Sequence, residues 1–137
     1  MIVYVLTALA ALVIGLTRVR LRGGDGGSGQ FSISGAIVTA HFVAGIVAVV
    51  VWVVFLVAPS DTTAGGSTVG IVALFFWWVT AICGLLILIR WLPSHGKHST
   101  DKVGDSWSEG PGLSILAHVG VAVAVVLFTL AYLTSKV

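Results

Sequence analysis

Four long apolar runs, divided by three polar segments, set the limits on what this chain can become. An apolar stretch of about 20 residues is the length that crosses a bilayer as a helix. Hydrocarbon offers the backbone no outside hydrogen-bond partner, so each run must satisfy its own amides and carbonyls as an α-helix. No Asp, Glu, Lys or Arg interrupts any run, and charged residues make up 9% of the chain, against about 25% in a soluble domain. The expectation is an all-α integral membrane protein: a single transmembrane domain over 1–137, folded as an up-down-up-down four-helix bundle.

The ends of the runs place the helices. The first covers about residues 1–19, with Arg18, Arg20 and Arg22 at its end. A secretory signal carries its positive charge before the apolar stretch; here the charge comes after it, which predicts a retained helix with its N-terminus outside. The glycine-rich segment Gly23 to Gln30 leads to Ser32 and Ser34, either of which can cap a second helix over about 33–57 that stops before Pro59. Beyond Ser60 to Thr68 a third helix runs over about 69–91. The longest polar segment, Ser94 to Gly110, precedes Pro111. Proline is a favourable first helical residue, so the fourth helix is expected over about 111–134.

Six of the seven Lys and Arg residues occupy or flank the first and third polar segments, and the second has none. The positive-inside rule then makes those two segments cytoplasmic and turns both termini and the second segment outward. The expected location is a bacterial cytoplasmic membrane, with the lipid bilayer as the main partner. Trp91 and Trp107 would lie near the inner interface, and Tyr4 and Tyr132 near the outer one.

Two histidines stand inside these runs: His41 in Ala40-His41-Phe42 and His118 in Ala117-His118-Val119. An imidazole in hydrocarbon is costly unless it has a partner or a ligand. His41 lies about eight residues and His118 about seven residues into its helix, a depth of about 10–13 Å at 1.5 Å per residue. The topology makes these two helices parallel, so the imidazoles share one level in the inner leaflet. Diagonal helices in such a bundle stand about 12–14 Å apart. That separation suits an iron between two imidazoles, with bonds of about 2 Å, better than a direct hydrogen bond between the rings. Ala44, Gly45, Ser114 and Ala122, three or four positions from the histidines, would leave room for a flat macrocycle. Small residues also mediate ordinary membrane-helix packing. On the residues alone three roles stay open: axial ligands of a haem, helix-to-helix hydrogen bonding, and another metal site or proton relay.

With these two histidines on opposed membrane helices, the chain resembles the four-helix membrane cytochromes b, whose membrane histidines clamp haem b. The resemblance covers the bundle and the positions His41 and His118, with no longer motif. It implies that His41 and His118 are the axial ligands of one haem b that carries single electrons. A quinone or a redox protein is the implied partner, and membership of a larger respiratory complex or a homo-oligomer is compatible with so small a bundle. Many such cytochromes hold two haems on four membrane histidines; two histidines imply one. The alternative is a non-catalytic accessory or assembly subunit without cofactor, whose aromatic faces contact partner helices.

The remaining features have plainer readings. The segments around His41 and His118 look alike, which an internal repeat and the monotony of membrane helices explain equally well. Cys83 stands alone among apolar residues, which excludes an internal disulfide and reads as a packing thiol. Zinc usually takes four ligands, and no carboxylate or thiolate stands at the depth of the histidines. His95 and His98 form an H-x-x-H in the third polar segment and read as solvated loop residues. Phe75, Phe76, Trp77 and Trp78 form an aromatic run, with Trp52, Phe55 and Phe128 at similar heights. They suit packing or an interfacial belt, and a quinone pocket less well. Trp77, Ala73, Thr80, Ala81 and Gly84 trace one face that can pack inside the bundle. A net charge of +2 gives no case for nucleic acid. No Ser-His-Asp set or phosphate loop can be assembled, and the lack of membrane Asp and Glu disfavours a carboxylate relay.

Overall fold

Valine and isoleucine dominate the second apolar run, and both are mediocre helix formers in water. In lipid the alternatives to a helix are worse, and the run is helical throughout. A computed structural model describes residues 1–22, 34–91 and 112–137. It consists of four helices: α1 (Ile2–Arg22), α2 (Gly35–Val57), α3 (Ser67–Trp91) and α4 (Gly112–Leu133). Ser32, His95, His98, Trp107 and Pro111 lie outside the described residues, as do the first and third polar segments.

Helix α2 starts after Ser34, whose backbone carbonyl accepts from Ile37 and Val38 at 3.0 and 3.2 Å. The Ser34 side chain makes no cap. The helix stops at Val57 because Ala58 precedes a proline and turns extended, at φ −75° and ψ 144°. In the turn to α3, Thr62 donates to the Pro59 carbonyl at 2.7 Å and accepts the Gly65 amide at 3.2 Å. A side chain at Gly65 would run into the Pro59 and Ala58 carbonyls, so only glycine fits this close return.

Each helix buries one stripe. In α1 it is Val3, Thr7, Ala10 and Ile14; in α4 it is Val121, Ala124, Val125 and Phe128. Helix α2 turns inward His41, Ala44, Gly45, Ala48, Trp52 and Phe55. Helix α3 buries Ala73, Trp77, Thr80, Ala81 and Gly84, the face expected from the sequence. The stripes are rich in Ala and Gly, which lets membrane helices approach closely. Around the bundle the order follows the chain: α1 packs on α2, α2 on α3, α3 on α4 and α4 on α1. The α2–α3 contact is the most extensive, and α1 is held most sparsely. Helices α2 and α4 are therefore diagonal.

The outward faces carry Leu12, Leu16, Val50, Ile82, Leu116 and Leu130, all exposed. Helices that are apolar all round are the mark of a membrane environment. Helices α2, α3 and α4 are each long and apolar enough to cross a bilayer. The apolar part of α1, Ile2–Arg18, is shorter.

Polar groups inside the bundle are mostly satisfied locally. Thr7, Thr80 and Thr129 each donate to the carbonyl four residues earlier, at 2.7–2.8 Å, a common way for a hydroxyl to live in a membrane helix. Between the histidines and the α2–α3 turn the core is aromatic. Trp52 stacks obliquely on Phe55 and Phe128, Trp77 on Phe128, and Phe55 on Tyr132, with ring centres 5.2–5.8 Å apart. Tyr4 and Tyr132 tie off this end, donating to the carbonyls of Leu56 and Ser67. Of the aromatic run in α3, Trp77 is fully buried while Phe75 and Trp78 are 60% and 41% exposed. These rings pack on one another or face outward.

Candidate functional site

The diagonal helices α2 and α4 bring His41 and His118 to one level. Their ring centres are 6.2 Å apart and the planes are tilted by 31°. His41 is 3% exposed, whereas His118 is half-buried. The nitrogen Nδ1 of His41 lies 3.0 Å from the carbonyl oxygen of Thr80 on α3. In His118 the same nitrogen lies 2.8 Å from the carbonyl of Ser114, one turn earlier in α4. A carbonyl oxygen only accepts, so each Nδ1 carries the hydrogen and donates it. In the neutral imidazole the lone pair then belongs to Nε2. For His41 that atom is buried and makes no hydrogen bond, so it does not join the two rings directly.

This is the arrangement that metal-binding histidines use: one ring nitrogen anchored on a carbonyl, the other presented to the ligand. Two metal–nitrogen bonds of about 2 Å, with about 1 Å inside each ring, put ring centres about 6 Å apart. The observed 6.2 Å is that spacing, and two imidazoles are a suitable donor pair, but the space between the helices as it stands admits no macrocycle. Among the described residues no third His, Cys, Asp or Glu joins the pair.

The space between the helices is small. Val13 and Ile14 of α1, His41 of α2, Thr80, Ala81 and Gly84 of α3, and His118 and Val121 of α4 line a cavity with room for about one water molecule. At the end of α1 away from the aromatic core, the Arg18 guanidinium lies 4.8 Å over the Phe42 ring, beside His41 in sequence. It is the one positive charge placed near the site among the described side chains.

The residues expected around the histidines divide. Ser114 is engaged through its carbonyl. Ala44 is buried in α2, and Gly45 packs against Ile14 of α1, where an added Cβ would come within 2.9 Å. Neither they nor Ala122 line the cavity. The walls instead come from α1 and α3. In the sequence Thr80 and Gly84 show only as members of a buried face, since nothing in a residue's name says that its carbonyl will accept from another helix. The two histidines are also not equivalent, because one anchors on a neighbouring helix and the other on its own. Local likeness of the two segments therefore does not extend to the hydrogen bonding. No family model, curated protein or solved structure matches the chain.

Proposed function

We propose that this protein is a small membrane b-type cytochrome that carries single electrons through one haem b held by His41 and His118. The observation that supports it best is the pair itself: ring centres at 6.2 Å, each Nδ1 anchored on a carbonyl. Bound haem would supply reversible one-electron chemistry at its iron. The chain's own part is to hold two imidazoles 6.2 Å apart, each with its Nδ1 on a carbonyl. The Thr80 and Ser114 carbonyls fix the tautomers and raise the basicity of the ligating nitrogens. The apolar walls at Val13, Ile14 and Val121 keep water and ions away. Seating a macrocycle requires those walls to draw apart, and sparsely held α1 is the helix with least to lose by moving.

The basic segments flanking α1 and α4 belong on the cytoplasmic side, which sets the histidines in the inner leaflet of a bacterial cytoplasmic membrane and turns the α2–α3 turn and both termini outward. Electron exchange would then take place with an inner-leaflet quinone or a cytoplasmic redox protein, within a larger complex or an oligomer. The narrow cavity favours a second reading, a cofactor-free accessory subunit in which the histidines act as helix glue.

Absorption spectroscopy of protein purified in detergent with haem supplied separates the two. The cytochrome reading expects a Soret band and a sharp α-band after dithionite, both lost in His118→Ala. A colourless protein in excess haem supports the accessory reading.

A further inference from the structure

Gly84 occupies the point where α3 comes closest to both imidazoles. A Cβ built there would lie 3.0 Å from His118 Cδ2, 3.2 Å from His41 Cε1 and 3.5 Å from His41 Nδ1. Helical side chains lean back over the turn before their own Cα. A side chain at position 84 would therefore lie over the carbonyl of residue 80, the group that His41 Nδ1 reaches from α2. In an α-helix that oxygen already takes the amide of residue 84. A carbonyl has a second lone pair, and access to it depends on what stands four residues further on.

We propose that Gly84 is a positioning residue for the histidine pair. Its missing side chain uncovers the Thr80 carbonyl, which locks His41 as the Nδ1–H tautomer and aims Nε2 into the cavity. The same gap lets both rings approach α3, so Gly84 also sets their separation. The tautomer claim stands whatever the pair holds, whereas the consequence for haem affinity rests on the cytochrome reading. An alanine would force both rings to retreat by a few tenths of an ångström. Valine, with two further carbons, would displace His41 from Thr80.

Packing glycines occur elsewhere in the bundle and provide a control. Gly70 is buried at the aromatic end of α3, where an added Cβ would meet Tyr132 at 2.5 Å and Phe55 at 3.1 Å. It stands 14 residues from Gly84, about 21 Å along the helix. Gly70→Ala should cost stability and leave the histidines alone.

The test is histidine-selective 15N NMR on the full chain in nanodiscs without haem, with His41 assigned from the signal that disappears in His41→Gln. Wild-type protein should show His41 as the Nδ1–H form. Gly84→Val should convert it to a mixture of tautomers, and Gly84→Ala should shift its resonances in the same direction. Gly70→Ala should leave them in place. An unchanged His41 in both Gly84 variants, with helix content and elution volume intact, overturns the proposal. Should Gly84→Val not fold, the alanine variant decides alone. Haem titration supplies a second measure: Gly84→Ala should weaken binding about 10- to 100-fold, and Gly70→Ala should not. Failure of the wild type to bind haem would reject the cytochrome reading while the tautomer measurement still judged Gly84.

Discussion

The two ends of the bundle are filled on different plans. From Thr80 toward the α2–α3 turn, Trp52, Trp77 and Phe128 interlock at full burial, and two tyrosines tie the helices to one another. From Thr80 the other way, two imidazoles and a glycine surround a water-sized cavity, and the Nε2 of His41 is buried without a hydrogen bond. Burying a polar nitrogen unpaired costs about 1–3 kcal/mol. Aliphatic side chains would fill the same place more favourably. The aromatic end carries that cost too, at the Trp77 indole nitrogen, and offsets it with interlocked rings, whereas the histidine end keeps a cavity where such packing would be.

Four substitutions would break or sharpen that contrast. His41→Ala should have the largest effect, complete loss of the haem absorption bands, with thermal stability of the haem-free protein changed little. An unaltered spectrum would remove His41 from the ligand set. Phe128→Ala opens a cavity between Trp52 and Trp77 and should lower unfolding free energy by about 3–5 kcal/mol, read by denaturant titration in detergent. Haem bound to the folded fraction should keep its spectrum; a changed α-band would mean that the two ends are coupled. Thr7→Val removes the oxygen that accepts from the buried Trp52 indole at 3.2 Å. The stranded N–H should cost about 1–2 kcal/mol, and no loss would show that the indole finds another acceptor. Tyr132→Phe deletes the bond to the Ser67 carbonyl and should cost about 0.6 kcal/mol, with no effect on haem affinity.

How much of this was legible in the sequence follows the same division. The helices could be placed because hydrocarbon leaves a long apolar run no other structure, and α2 and α3 end within about two residues of where Pro59 and Pro93 put them. The diagonal relation of α2 and α4 followed from short connections between consecutive helices. The meeting of the histidines followed from counting residues along two parallel helices. The surroundings of the pair did not. Ala44, Gly45 and Ala122 are the histidines' neighbours along the chain, whereas the cavity beside the rings is lined largely by other helices. Val13 and Ile14 belong to α1, whose register against α2 leaves no trace in either sequence. Thr80 acts through a carbonyl that any residue would have supplied, and Gly84 acts through the absence of a side chain. Such contributions become visible only when the helices are set against each other.

Near-infrared magnetic circular dichroism of the ferric, haem-loaded protein tests the central claim most directly, because it reports the two atoms bound to the iron. Ligation by His41 and His118 predicts a low-spin iron with two imidazole nitrogens. A high-spin spectrum, an axial pair that includes anything other than imidazole, or a protein that takes up no haem would contradict it.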